Sequence, residues 1–204
     1  MFKIGKLEFE VKDASFTGSF MDAVVSKRNA GKGEPELLWL IDINMEEGKF
    51  STDETVMPNL YHNNGFQMNV RSWKDIEGIT LNWDSEFNEN GEEAGSLYVF
   101  EHEEVTKGTI EFLERRGTKF VIRWTGTANV YWNDEYGADV PFSFEGEVEF
   151  KGINVLCEEI STLKELKAVM MNFIDIEEFD CIAEESRKNG AAINYMWKFE
   201  PQRS

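Results

Sequence analysis

Apolar and polar residues alternate with a period of two along most of this chain, and only an extended strand with one buried face puts such a pattern to use. Leu7, Phe9 and Val11 alternate with Glu8, Glu10 and Lys12. After the Asn64-Gly65 turn, Phe66, Met68 and Val70 alternate with Gln67, Asn69 and Arg71, and Ile79, Leu81 and Trp83 alternate with Thr80, Asn82 and Asp84. Further strands are expected at Leu97 to Phe100 and, between Gly108 and Gly117, around Ile110 and Phe112. The clearest runs from Phe120 to Trp132, with Phe120, Ile122, Trp124, Gly126, Ala128, Val130 and Trp132 on one face. Small residues at 126 and 128, set among bulky ones, point to a bend or the close approach of another backbone. Phe142, Phe144, Val148 and Phe150 repeat the pattern opposite Glu145, Glu147 and Glu149.

Strands at intervals of roughly ten residues, joined by Asn-Gly and Gly-rich turns, predict a mainly antiparallel β-sandwich or partly open barrel. An aromatic share of 13% leans the same way, because aromatic side chains suit a pleated, half-buried surface. After about Val155 the period changes. Ser161 or Thr162 can cap a helix with apolar positions at Leu163, Leu166, Val169, Met170 and Phe173. Ile176, Phe179 and Ile182 either continue that helix or form a second short one after a break near Asp175. Asn189-Gly190 is a stop signal, and a last strand alternates Ile193, Tyr195, Trp197 and Phe199 with Asn194, Met196 and Lys198.

With 204 residues the chain suits one domain, residues 1–204, in which a β-rich body (1–155) carries a helix-plus-strand element (156–204). Charges interrupt the first residues too often for a signal core, and no apolar run approaches the roughly 20 residues that span a bilayer. Cys157 and Cys181, without a CxxC motif, are expected to be reduced core thiols. A cytoplasmic location is the expectation.

The net charge of −18 is unevenly placed. No Lys or Arg lies between Lys74 and Lys107, where ten acids lie, nor between Arg123 and Lys151, where six lie. The rest, 23 acids against 21 bases, is near neutral. Glu145, Glu147 and Glu149 share one strand face at a repeat of about 6.6 Å, and like charges so placed repel. Such acids either keep the protein soluble and blunt strand edges, or form a face that steers a basic partner. The expected partner-binding residues are Glu86, Glu89, Glu92, Glu93, Glu101, Glu103, Glu104, Asp134, Glu135, Asp139, Glu145, Glu147 and Glu149. The charge argues against direct binding to nucleic acid or an anionic membrane. The one basic cluster, Arg115, Arg116, Lys119 and Arg123, is small and could instead pair with the acidic face within the fold.

Little in the sequence suggests catalysis. There is no dinucleotide, phosphate-loop, nucleophile-elbow or zinc-protease motif. In Glu101-His102-Glu103-Glu104 strand parity lets only His102 and Glu104 share a ligand, so His102 reads as a surface histidine, and His62 sits in a polar turn. Glu86 to Gly91 imitates a calcium loop, but position twelve is Leu97 where a bidentate Glu is required. No metal or other cofactor is therefore expected. The leading expectation is a non-enzymatic inhibitor that neutralises a basic toxin or nucleic-acid enzyme, as bacterial immunity proteins and nucleic-acid mimics do. The alternatives are a small-molecule, lipid or sugar-binding barrel lined by some of the six tryptophans, and a carboxylate-dependent enzyme.

Overall fold

The computed structural model describes the chain apart from residues 50–54, 63, 88–92, 100, 131–136, 184–185, 190–191 and 203–204. The fold is β-rich α+β, with 61% of residues in strands and 13% in helices. In chain order come β1 (Phe2–Ile4), β2 (Leu7–Phe9), β3 (Val11–Met21), helix α1 (Ala23–Ala30), β4 (Glu36–Met45), β5 (Gly48–Lys49), β6 (Thr55–Val56) and β7 (Asn59–Tyr61). A 3-10 turn at Trp73–Ile76 precedes β8 (Thr80–Trp83), β9 (Ser96–Tyr98), β10 (His102–Arg116), β11 (Lys119–Val130) and the long β12 (Gly137–Cys157). The chain closes with α2 (Leu163–Met170), a second 3-10 turn at Ile176–Glu178, β13 (Phe179–Ala183), β14 (Arg187–Asn189) and β15 (Ala192–Pro201).

Paired strands run in the order β11-β10-β9-β7-β4-β3-β12-β1-β2, and β11 also pairs β12, so the hydrogen-bonded path returns to its start. β8 joins β10, while β13, β14 and β12 all pair β15. The registers from β7 through β12 are antiparallel, each strand beside a neighbour close in sequence, as hairpin connections require. Among the described residues no helix is long and apolar enough to cross a membrane.

Two compact units divide the chain: Met1–Ser15, Leu40–Gly65 and Glu77–Glu149 form the first, and Phe16–Trp39, Phe66–Ile76 and Phe150–Ser204 the second. In the first, the inward residues of β10, β11 and β12 bury Ile110, Phe112, Phe120, Ile122, Trp124, Phe142, Phe144 and Val148. Trp124 meets Trp83 and Phe142 edge-on at 6.0 and 6.2 Å. Gly126 makes the close approach that its small size implies. A Cβ there would lie 2.4 Å from the Lys107 carbonyl oxygen, beside a register shift between Val105 and Lys107.

The second unit is centred on Phe150, which contacts Phe16, Trp39, Trp73 and Phe179 with ring centres 5.2 to 6.2 Å apart. Thr162, one of the two expected caps, starts α2: its hydroxyl accepts from Glu165 N and donates to Glu165 Oε2. Leu166 and Met170 are the helix's buried positions. Cys157 and Cys181 are both free thiols, Cys157 fully buried and Cys181 half-buried. Burial, then the charge of Asp22, pushes the Cys157 thiol up to about 12.

Three local expectations change. The segment after Asn64-Gly65 is not a strand: Phe66 bridges Trp39, and the chain then leaves β4 until Arg71 O accepts from Asp175 N. Past Asp175 the chain turns once as a 3-10 helix and becomes β13, so Phe179 and Ile182 lie on a strand. Helix α1 was not expected at all. Its sequence, AVVSKRNA, carries no apolar stripe, and the cap is supplied by the buried Asp22, whose carboxylate accepts from Val25 N at 3.0 Å.

Candidate functional site

Four of the expected acids, Glu89, Glu92, Asp134 and Glu135, lie outside the described residues. The other nine belong to the first unit; eight of them fall in three places, and Glu103 stands apart from these.

The row on β12 meets the basic cluster directly. Register sets Glu145 opposite Arg123, Glu147 opposite Val121 and Glu149 opposite Lys119. Arg123 reaches Glu145 at 2.9 Å and, across on β10, Glu111 at 3.2 Å. Glu147 takes Lys119 at 3.1 Å and Arg116 at 3.4 Å, and Arg116 also holds Glu114 at 2.6 Å. The hydrogen bond from Lys119 holds the Glu147 carboxyl below its usual range, and the one that Arg123 donates to Glu145 raises the guanidinium. Cross-strand neighbours thus offset the repulsion within the row.

Glu86 and Asp139 join a second network at the bulged end of β11. Asn129 donates to Glu86 Oε1 at 3.3 Å and its own Oδ1 accepts from Asp139 N, while Asp139 Oδ1 accepts from Thr106 at 2.8 Å. Among the described residues Asp139 is the one non-glycine held at positive φ, 53°, a conformation that Asp tolerates better than most residues.

The third place is the outward face of β4, β7, β9 and the start of β10. Antiparallel register lines up Asp42 with Tyr61 and Tyr61 with Ser96, and on the next rung Asn44 with Asn59, Asn59 with Tyr98 and Tyr98 with His102. The Tyr61 hydroxyl lies 2.5 Å from His102 Nδ1, and the Tyr98 ring centre is 5.1 Å from that of His102. Burial raises the Tyr61 phenol, a hydrogen bond with Ser96 offsets part of this, and the charges of Glu93 and Asp42 raise it further. The phenol therefore keeps its proton. The Asn44 amide bridges Asp13 and Asp42 at 3.1 and 3.0 Å, and Asn59 donates to Asp42 at 2.6 Å. Glu93 accepts from Ser96 at 3.0 Å. Glu101 is exposed and Glu104 half-buried beside this face, and among the described residues neither meets a Lys or Arg. Tyr98 is 38% exposed.

Glu103 points the other way. It is only 6% exposed, in register with Leu97, which stands opposite Leu60 and through it Ile43. Burial, then the charges of Glu104 and Glu101, raises its carboxyl. Strand parity carried this signal: if His102 and Glu104 share the outer face, Glu103 shares the inner one with Val105.

No family model matches the chain, and neither does a curated protein or a solved structure. Function rests on the chemistry of these side chains. The described residues hold no group of three or more His, Cys, Asp or Glu placed to bind a metal ion.

His62, which the sequence sets in a polar turn, is 7% exposed, with its ring edge-on to Trp83 at 5.6 Å. Burial lowers its pKa to about 4. The neutral ring is the folded form, so its contribution is complete above the unfolded pKa of about 6.5 and is lost as pH falls towards 4. Glu103, raised by burial, works in the opposite direction, losing stability as pH rises. Urea unfolding of the wild type and of His62→Gln at about pH 7.5 and about pH 4.5 separates the two. The wild type should lose roughly 2 to 3 kcal/mol more than the variant over that range. An equal loss in both would exclude His62 as the titrating group.

Proposed function

We propose that this chain is a stoichiometric protein-binding inhibitor that presents the outward face of β4, β7, β9 and β10 to a basic partner, a toxin or a nucleic-acid enzyme of the cytoplasm. One observation carries the reading. Acids on this face surround an aromatic cluster, Tyr61, Tyr98 and His102, and Asp13, Asp42, Glu101 and Glu104 have no base to pair with among the described residues. Tyrosines are enriched in protein interfaces, where a rigid, amphipathic ring gives contact area at little entropic cost. Surrounding carboxylates speed the encounter with a positive surface and select against acidic partners. The Glu145-Glu147 row differs, because Arg116, Lys119 and Arg123 already meet its charge.

The experiment is affinity capture from the native host's lysate at about 0.1 M and about 0.5 M salt, followed by reconstitution with the purified protein captured. A basic protein should be retained at low salt, weaken at high salt and form a 1:1 complex, because exposed charges are screened over about 10 Å or less. Failure to retain any protein, or retention of one that is acidic or indifferent to salt, would sink the proposal.

A further inference from the structure

One edge of β4 opens a rung before the strand ends. On this edge Trp39 exchanges both backbone hydrogen bonds with Phe66, each at 2.9 Å. Further along, Ile41 O accepts from His62 N at 3.1 Å and Met45 N donates to Pro58 O at 3.0 Å. Alternate residues of a strand turn their N–H and C=O to the same side, so Leu37 aims its own pair at this edge too. No described residue meets them. β7 pairs β4 only at Asp42–Asn44, and after Phe66 the chain diverges. Met68, which would stand opposite Leu37 if the ladder continued, forms no backbone hydrogen bond with a described residue. Leu37 is nevertheless 8% exposed, and buried backbone groups in folded proteins are nearly always paired.

A cleft of about 480 Å³ occupies the fork, lined by Leu37, by Met68 and Asn69 of the diverging segment, and by Asn172 after α2, all within the second unit. That volume falls among small-ligand sites, roughly 300 to 1,000 Å³. Two residues before Leu37 stands Pro35, which has no N–H to give, so the ladder can grow by one complete rung. A single rung suits the end of a chain better than a strand running through. The charge of the lining says which end. Glu36 is 4% exposed and already paired with Lys32 at 2.5 Å. Arg71 is exposed, spends Nη2 on Met171 O at 2.6 Å and meets no carboxylate among the described residues. The open charge of the cleft is therefore positive, and a guanidinium fork matches a carboxylate.

We propose that this cleft binds the C-terminal end of an extended polypeptide as an added antiparallel strand. The penultimate residue of the guest stands opposite Leu37, donates its N–H to Leu37 O and accepts from Leu37 N. Its terminal carboxylate takes the Arg71 nitrogens that Met171 leaves open. Main-chain pairing supplies the affinity, as in other strand additions, and Gln67, Asn69 and Asn172 favour polar side chains on the guest. This site is separate from the acidic face and stands or falls without it.

N-acetylated Thr-Ser-Thr with a free carboxylate is the probe, titrated into the full chain while backbone amides are followed by NMR. Saturable shifts are expected at residues 36–38 and 67–71, with Kd below about 1 mM. Exchange of the Leu37 amide proton with water should slow at least about tenfold at saturation. The same peptide with a C-terminal amide, or N-methylated at its serine, should bind at least about tenfold more weakly. The first lacks the charge for Arg71 and the second lacks the N–H for Leu37 O, and neither alters the protein. Arg71→Met, at an exposed position, should weaken the free acid and leave the affinity of the amide unchanged. Absence of shifts at about 10 mM probe, shifts centred elsewhere, a Leu37 amide that exchanges no more slowly when bound, or equal binding of either modified peptide would overturn the proposal.

Discussion

Replacing Glu101 and Glu104 together by lysine is expected to weaken binding of the basic partner by about a hundredfold at about 0.1 M salt, while replacing Glu145 and Glu147 changes it by less than about tenfold. Both variants alter net charge equally, so a long-range field treats them alike and only local contact separates them. Close charge pairs at interfaces are coupled by roughly 1.5 kcal/mol or more each, and two such losses make about two orders of magnitude. Glu101 and Glu104 sit beside Tyr61, Tyr98 and His102 without a neighbouring base among the described residues. Glu145 and Glu147 are engaged by Arg123, Lys119 and Arg116, and those exposed, solvent-screened pairs contribute little to the fold. The control should therefore remain folded. Titration calorimetry at low and high salt decides between them: the gap should narrow at about 0.5 M as screening shortens. If the two variants lose affinity equally, charge acts only at long range. A larger loss from Glu145 and Glu147 would move the interface to the ion-pair ladder of β10, β11 and β12.

Features that depend on neighbours in sequence were legible, and features that depend on partners distant in sequence were not. Alternation placed Phe120, Ile122 and Trp124 inward, and the small residue at 126 forecast the approach of the Lys107 carbonyl. The Thr162 cap was readable because its partner, Glu165, is three residues away. Register between strands is different. Whether Glu145 stands opposite Arg123 or opposite solvent depends on which rung of β11 faces β12, and a period of two leaves that open. The same limit hid the acidic face, because Asp42, Tyr61 and Tyr98 come together only through the pairing of β4, β7 and β9. Alternation at residues 66–71 misled for a related reason: a strand pattern needs a partner strand, and β4 pairs β7 only at Asp42–Asn44. His62 lies in a polar stretch and is buried by Trp83, 21 residues further along.

Asp22 is the residue whose weight is least visible in the sequence, and its replacement by alanine is expected to cost roughly 4 kcal/mol of stability. The side chain is 2% exposed. One carboxylate oxygen caps α1 through Val25 N at 3.0 Å, and the other accepts from Glu158 N at 2.7 Å and Glu159 N at 2.8 Å. Alanine removes both acceptor oxygens and leaves the three N–H groups to find water, which the burial of the site opposes. Hydrogen bonds to a charged acceptor contribute more than neutral ones, and a lost cap alone costs about 1 kcal/mol. For a chain of this length the melting temperature should fall by roughly 10 °C. Thr162→Ala, which removes the exposed cap of α2, sets the scale and should cost about 1 kcal/mol. Asp22→Asn should fall between them, because its single oxygen can serve either Val25 or the pair at 158–159 but not both. Urea unfolding with an unchanged slope is the measurement, since a shifted midpoint at constant slope isolates stability from a change in unfolded-state compactness. If Asp22→Ala costs no more than Thr162→Ala, the three backbone donors find other partners, and the junction between β3 and α1 is held by packing around Val25 and Cys157 rather than by the buried carboxylate.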